Sequence, residues 1–461
     1  MSSLLVKNAD FVATFDADRR EIQNGGLFVR DGFIEQVGEN GELPAEADEV
    51  LDLSGHILLP GLINTHHHFY QTLTRAVPAA QDANLFNWLV TLYPIWARMN
   101  PEDIRISTQT ALAELALSGC TTASDHLYIF PNGSRLDDEI EAAQSIGLRL
   151  QASRGSMSVG ESQGGLPPDS VVEDEAAILA ESQRLLETYH QADAGALTQI
   201  VLAPCSPFSV SQDLMRETAA LARQFGVHMH THLAETQDEE QYTIEQFGMR
   251  PVALMESLDW IGDDVWFAHS VHVNAAEIAQ YAQTGCGVAH CPSSNMRLAS
   301  GIAPVVSMLT AGVKVGLGVD GSASNDSSHM LAEARQAMLL SRLDAGLRGA
   351  SLSSDEAPPL MSARQAFEMA TRGGAAVLGR EDIGALEVGK CADFFAVNLN
   401  QLDYAGALHD PLAALLFCAP LKADYTVVGG NFIVKAGQFL PVELPPLIEK
   451  HNQAAKRLLE N

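Results

Sequence analysis

The chain has 461 residues, 46% of them hydrophobic, and its 28 basic and 58 acidic side chains leave a formal charge of −30. That length has room for one large domain and a smaller one, and the acidity disfavours nucleic acid and anionic membrane surfaces as partners. No apolar run reaches the length of a membrane span and the N-terminus lacks the long apolar region of a signal peptide, so a cytoplasmic setting is expected.

Residues 4–6, 11–14, 26–29 and 33–37 are short strand-like pieces separated by turn residues, which predicts a small antiparallel sheet. From residue 57 the texture changes. Apolar strands are expected at 57–65, 121–126, 147–153, 199–205, 227–232, 264–269, 286–290 and 313–320, with helical patterns between most of them, as at 103–118 and 174–189. Eight strands with this spacing predict a (β/α)8 TIM barrel. A doubly wound sheet is the rival, and would gather functional groups at one switch point rather than after most strands. The short-strand texture returns at 392–397 and 425–434, with Gly429-Gly430-Asn431 as a hairpin turn. Residues 1–58 and 373–445 are therefore expected to form one composite β-sandwich beside a barrel over 59–372, followed by a C-terminal helix at 446–461. Six cysteines with no Cys-x-x-Cys pair predict neither a disulfide framework nor a zinc ribbon.

Titratable groups recur where the expected barrel strands end. His66-His67-His68 follows the apolar stretch 57–63. Side chains two apart on a strand point the same way, so His66 and His68 can converge while His67 faces away. Strand five carries His228, His230 and His232, with Glu235 three residues on. Strands six, seven and eight end in His269, His290 and Asp320. Any one of these is as readily a hydrogen-bonded core histidine or a capping aspartate. Five in strand order point instead to a metal site at the C-terminal mouth of a barrel.

The combination Pro60-Gly61-Leu62-Ile63-Asn64-Thr65-His66-His67-His68, His230-Thr231-His232-Leu233-Ala234-Glu235-Thr236, Ala268-His269-Ser270-Val271-His272 and Gly316-Leu317-Gly318-Val319-Asp320-Gly321-Ser322 resembles the amidohydrolase superfamily. The branch it resembles is that of aminohydrolases and chlorohydrolases acting on heterocycles. The resemblance covers essentially the whole chain. It implies metal binding by His66, His68, His232 and Asp320, proton shuttling by Glu235, and a catalytic place for His269 beside them; Asp320 is further expected to take a proton from the attacking water. Three neutral imidazoles and a carboxylate leave one position for water, as a catalytic zinc site requires. Some relatives bridge two metals with a carbamylated lysine at the end of strand four. This chain has Cys205 there, so one zinc ion is expected, with iron(II) allowed by the same donors. His230 shares a strand face with His232, but the family pattern places the metal histidine three before the glutamate. His67 and His272 are read as structural, and His228 as a core or supporting residue.

Five further residues are candidates for substrate binding: Gln71 for its amide, Trp88 as a stacking surface, Arg154 as a donor to a carbonyl, Cys205 where several relatives carry histidine, and His290. Gln71, Trp88 and Cys205 have bland alternatives as a helix-start residue, a packing residue and a buried thiol. More narrowly, Thr74-Arg75-Ala76-Val77-Pro78-Ala79-Ala80, Ser124-Asp125-His126-Leu127-Tyr128-Ile129, Ala203-Pro204-Cys205-Ser206-Pro207-Phe208-Ser209 and Cys291-Pro292-Ser293-Ser294-Asn295-Met296-Arg297-Leu298 are similar to the members that deaminate 8-oxoguanine. This implies a small heterocyclic substrate, 8-oxoguanine converted to urate and ammonia. Isoxanthopterin, guanine, another pterin or a triazine, or loss of chloride from such a ring, would suit the same chemistry. A non-catalytic scaffold of the same fold is the reading from another class, and would have lost these ligands. Related enzymes commonly self-associate, so a homo-oligomer is expected.

Overall fold

The structure, a computed structural model, describes residues 3–349 and 360–460; the expected domain limits at residues 1 and 461 fall outside them. The first five strands are β1 (Ser3–Ala13), β2 (Glu21–Arg30), β3 (Phe33–Glu39), β4 (Glu49–Asp52) and β5 (His56–Pro60). Eight strands then close into a barrel: β6 (Leu62–Asn64), β7 (Cys120–Leu127), β8 (Arg149–Ser156), β9 (Thr198–Pro204), β10 (Met229–Leu233), β11 (Val265–His269), β12 (Gly287–His290) and β13 (Lys314–Leu317). The last four, β14 (Phe394–Asn398), β15 (Tyr425–Val428), β16 (Asn431–Lys435) and β17 (Gln438–Phe439), join the first five in one sheet. The fold is a (β/α)8 barrel with a smaller sheet built from both chain ends. A helix at Leu444–Glu460 follows.

That outer sheet is continuous in its hydrogen bonding. β1 pairs with β2 on one side and, on the other, with β4 along its first half and β5 along its second. The sheet therefore forks at β1 and encloses an apolar cluster of its own, which includes Val6, Leu27, Leu51, Leu58, Phe394 and Val427. The strands expected separately at 4–6 and 11–14 are the single strand β1. Its register shifts between Val6 and Ala9, where Asn8 takes a left-handed φ of 62°, a bulge conformation that asparagine tolerates. Gly429 and Gly430 both have positive φ between the paired Val428 and Asn431, as a two-residue hairpin turn requires.

The apolar run 57–65, expected as one strand, is two. β5 pairs with β14 in the outer sheet, and β6 lies in the barrel between β13 and β7. Gly61 allows the crossing, because a Cβ there would stand 2.1 Å from Thr121 Oγ1 on β7. The barrel strands read as near-continuous apolar runs because helices cover their outer faces. Every residue of β7, β8, β11 and β12 is buried.

A buried ion pair ties the two sheets together. Arg149, at the start of β8, donates through Nε and Nη2 to the two carboxylate oxygens of Asp393, at 2.6 and 3.0 Å. Asp393 also accepts the Gly429 N–H, and its carbonyl accepts that of Gly61. Replacing Asp393 by alanine leaves a buried guanidinium without its counter-ion, which typically costs about 3–5 kcal/mol. Urea denaturation of Asp393→Ala is expected to show a loss of that order, and a loss below about 1 kcal/mol would mean the pair does not join the sheets.

Candidate active site

Where β6, β10, β11 and β13 end, histidine and carboxylate atoms converge at the C-terminal mouth of the barrel. His68 Nε2 lies 3.2 Å from His232 Nε2. Asp320 Oδ1 lies 3.4 Å from both His66 Nε2 and His68 Nε2. His269 Nε2 is 3.7 Å from Asp320 Oδ2 and 3.5 Å from Glu235 Oε2. All are buried except His232, which is partly so.

Hydrogen bonds on the far side of each ring fix which nitrogen is free. His68 Nδ1 donates to the His126 carbonyl at 2.7 Å, and His232 Nδ1 to the Cys205 carbonyl at 2.5 Å. His230 Nδ1 donates to the Trp266 carbonyl, so its Nε2 is an acceptor, and His66 Nδ1 donates to it at 2.8 Å. The Nε2 lone pairs of His66 and His68 are thereby turned on Asp320, and that of His232 faces His68 Nε2. His66 Nε2 is fully buried and has no hydrogen-bond partner among the described residues. Lone pairs and a carboxylate facing one another at these separations repel unless a cation lies among them. Two donors bound tetrahedrally to one zinc ion at ~2.0–2.1 Å stand roughly 3.3 Å apart, close to the observed separations. The donor set and its tautomers therefore fit a divalent metal.

The titration directions agree. Burial pushes His66, His68 and His232 down, His232 to about 3, and neighbouring imidazoles add to the effect on each, so all three remain neutral ligands. Burial would raise Asp320, but His66, His269 and His68 hold it well below the usual carboxylate range. Burial raises Glu235, and Asp320 adds to this against the pull of His269 and the Ser300 hydroxyl. At His269 burial opposes the charge, yet Glu235 and Asp320 raise it above an ordinary histidine. The site thus holds a carboxyl biased toward protonation beside an imidazole biased toward the cation.

The backbone is bent to make this arrangement. β13 stops at Leu317, three residues short of Asp320, which has φ of 63°. His269 has φ of 72° and Ala234, next to Glu235, 53°. Non-glycine residues in this region cost about 1–3 kcal/mol each, and here they turn side chains into the mouth. Asp320 N donates to the His66 carbonyl, and Asp320 Oδ1 accepts the Gly321 N–H at 2.7 Å.

Three supporting residues were not singled out in the sequence. Asn295 Oδ1 accepts from His269 Nδ1 at 2.9 Å, and the Ser300 hydroxyl donates to Glu235 Oε1 at 3.2 Å. Glu239 accepts the Ala234 and Glu235 N–H groups, both at 2.8 Å. The spacing Thr236-x-x-Glu239 is a helix-start signal that could have pointed to Glu239. The bonds of Asn295 and Ser300 cross between segments and leave no local pattern.

Of the substrate-binding candidates, Gln71, Trp88 and Cys205 line a cavity together with His68, Glu235 and Asp320. Gln71 Oε1 is buried with no partner among the described residues. Trp88 lies in the helix Leu85–Trp96, its indole N–H donating to the Ala323 carbonyl. Burial pushes the Cys205 thiol up to about 12, so it stays uncharged. Two candidates need correction. Arg154 is spent on Glu173 at 2.9 and 3.0 Å and lies over the Phe130 ring, away from this cavity. His290 is buried at the end of β12 and does not line the cavity; burial lowers it to about 3, with His269 adding to the effect.

Among the remaining histidines, His67 bonds Ser328 and accepts its neighbour's N–H, His272 bonds the Ser300 carbonyl, and His228 precedes β10 at the opposite end of the barrel. His230 supports the cluster by fixing the His66 tautomer, and His126 does so through its carbonyl to His68 and its ring stacked on His232. His230→Phe should weaken zinc binding ~10–100-fold, the usual effect of removing such a partner. Competition with a chromophoric chelator measures this, and unchanged affinity would remove His230 from the role.

Comparison with known proteins matches residues 57–438 to the Amidohydrolase family. The chain is 49% identical over 438 residues to 8-oxoguanine deaminase of Pseudomonas aeruginosa, covering 94% of this chain and 95% of that one. It is 37% identical to isoxanthopterin deaminase from an unknown prokaryotic organism, covering 89% and 87%. Among solved structures, atrazine chlorohydrolase from Arthrobacter aurescens complexed with zinc superposes with a TM-score of 0.91 at 31% identity, over 98% of this chain and all of that one.

Proposed function

Since the chain belongs to the amidohydrolase family and is a hydrolase acting on C–N bonds, we propose that it deaminates 8-oxoguanine, giving urate and ammonia. Glu235 carries this reading. A buried carboxyl raised toward protonation stands 3.5 Å from His269 and shares with Asp320 a cavity walled by Trp88, Tyr93 and Tyr128. That is a proton donor facing a slot for a flat ring. The 49% identity to a relative that acts on 8-oxoguanine supports the choice of ring.

One zinc ion held by His66, His68, His232 and Asp320 is part of the proposal. When bound, zinc supplies Lewis acidity that lets water yield hydroxide near neutral pH, its pKa lowered to ~7. The side chains then divide the proton work. Asp320 Oδ1 faces the histidines while Oδ2 faces His269, so Oδ2 accepts the proton of the attacking water. Glu235 protonates the ring nitrogen beside the amino-bearing carbon, which makes that carbon more electrophilic and spares the ring a full negative charge. His269, cationic between the two carboxylates, donates to the developing oxygen. Asp320 passes its proton to the departing amine, and as the carbonyl forms the proton left on the added oxygen returns to Glu235, restoring both carboxyl groups to their starting states. The Gln71 amide and the neighbouring aromatic rings orient the heterocycle.

An ammonia-release screen over 8-oxoguanine, isoxanthopterin, guanine, cytosine and hydroxylated triazines tests the proposal. Release from 8-oxoguanine at the highest kcat/KM is the expected result, and preference for a pterin or triazine would replace the substrate. Removing metal with a chelator should abolish release and zinc should restore it. Full activity in metal-free protein would remove the zinc role.

A further inference from the structure

Outside the metal cavity lies a second pocket, whose lining includes Phe86, Leu166, Pro167 and Tyr242. Tyr93 and Phe208 belong to the walls of both. Phe208 is partly buried and its ring is held edge-on from two sides. It packs on Phe86 with centroids 6.1 Å apart and on Tyr242 at 6.0 Å. Its loop is fixed by bonds between Ser206 and Ser209, and the Ser209 carbonyl accepts the N–H groups of Ser158 and Val159. The ring is therefore a rigid part of the wall between the two spaces.

The outer pocket has its own chemistry. Leu166, Pro167 and Tyr242 supply apolar surface, while Asp238, Gln241 and Glu245 supply polar groups. None of its lining residues is lysine or arginine among the described residues. The space suits an uncharged or cationic group and opposes an anionic one.

We propose that Phe208 is a specificity-determining residue that confines the enzyme to bare heterocycles by closing the inner cavity against the outer pocket. With the ring removed, the joined space admits heterocycles bearing a neutral or cationic substituent on the edge facing Phe208, but not an anionic one. The proposal rests on the reading of the inner cavity as the site of heterocycle deamination.

The test compares wild type, Phe208→Ala and Gln241→Ala, the last at a position that lines only the outer pocket, with thermal midpoints recorded to confirm folding. Each is assayed on 8-oxoguanine, its riboside and an N-carboxyalkyl derivative. Phe208→Ala should raise the riboside-to-base ratio of kcat/KM at least ~10-fold, within the range that pocket shape alone commands. Gln241→Ala should not raise it, and the carboxyalkyl ratio should rise far less. An unchanged riboside ratio in Phe208→Ala, or an equal rise in Gln241→Ala, overturns the proposal. If Phe208→Ala does not fold, Phe208→Leu takes its place, with a smaller rise in the same ratio expected and no rise overturning the idea.

Binding of urate and its N-riboside, followed by tryptophan fluorescence, gives a second readout independent of turnover. If wild type releases ammonia from none of the bases, the deamination reading fails. The binding ratio then still decides the role of Phe208: a rise in the variant sustains it, and no rise removes it.

Discussion

Asp320→Asn is expected to lower kcat for ammonia release by at least about 10³-fold, toward the upper end of the 10²–10⁴ that one positioned acid–base group contributes. Asparagine keeps the shape and one carbonyl oxygen, so the Gly321 N–H retains an acceptor at this strained corner. Two things are lost. The inward-facing imidazoles of His66 and His68 lose the negative charge that lies 3.4 Å from each. The position 3.7 Å from His269 loses the only proton acceptor the substitution touches. Zinc content per chain reports the first loss and kcat at saturating zinc reports the second. A variant with full zinc content and turnover within tenfold of wild type would remove Asp320 as the proton carrier. Titration of His269 gives a further check. Asp320 helps to raise it, so its imidazole should titrate lower in the variant.

How far the site could be read from the chain follows from where each partner sits. His66, His68, His232 and His269 were legible because a barrel delivers strand ends to one mouth, and each of them closes an apolar run. Asp320 was legible for the same reason, although β13 ends earlier than expected and a left-handed residue makes the final turn. Arg154 shows where the rule fails. It too ends an apolar strand, but Glu173, in the segment before the next helix, captures it. Nothing in the spacing of those two residues announces that pairing. His290 fails differently: it ends its strand, yet it is buried and is not among the residues lining the cavity. The barrel was legible at the level of strand count and order, whereas the outer sheet gains β4 and merges two expected strands into β1. The split at Gly61 was not, because the close approach to Thr121 that requires glycine exists only once β5 and β6 enter different sheets.

Glu235→Gln is expected to reduce kcat ~10²–10⁴-fold while leaving zinc content as in wild type, since Glu235 is outside the proposed donor set. Glutamine fills the same volume, and its side-chain oxygen can still accept from Ser300, the partner 3.2 Å from Glu235 Oε1. What it cannot do is give up a proton to the ring. The pH dependence separates this from a packing defect. Glu235 acts as a donor only when protonated, and burial together with the charge of Asp320 raises it. The competent form is populated below that raised value and depleted as pH climbs through it. Wild-type kcat/KM should therefore fall on the alkaline side, and Glu235→Gln should lose that limb while keeping its low residual rate. A residual rate that still falls with the wild-type alkaline pKa would assign the limb to another group. The size of the loss should also depend on the ring. A heterocycle whose reacting carbon is already electrophilic needs less help from a protonated neighbour, so the variant should penalise it less than 8-oxoguanine. Equal losses across both kinds of ring would mean that Glu235 positions the substrate rather than protonates it.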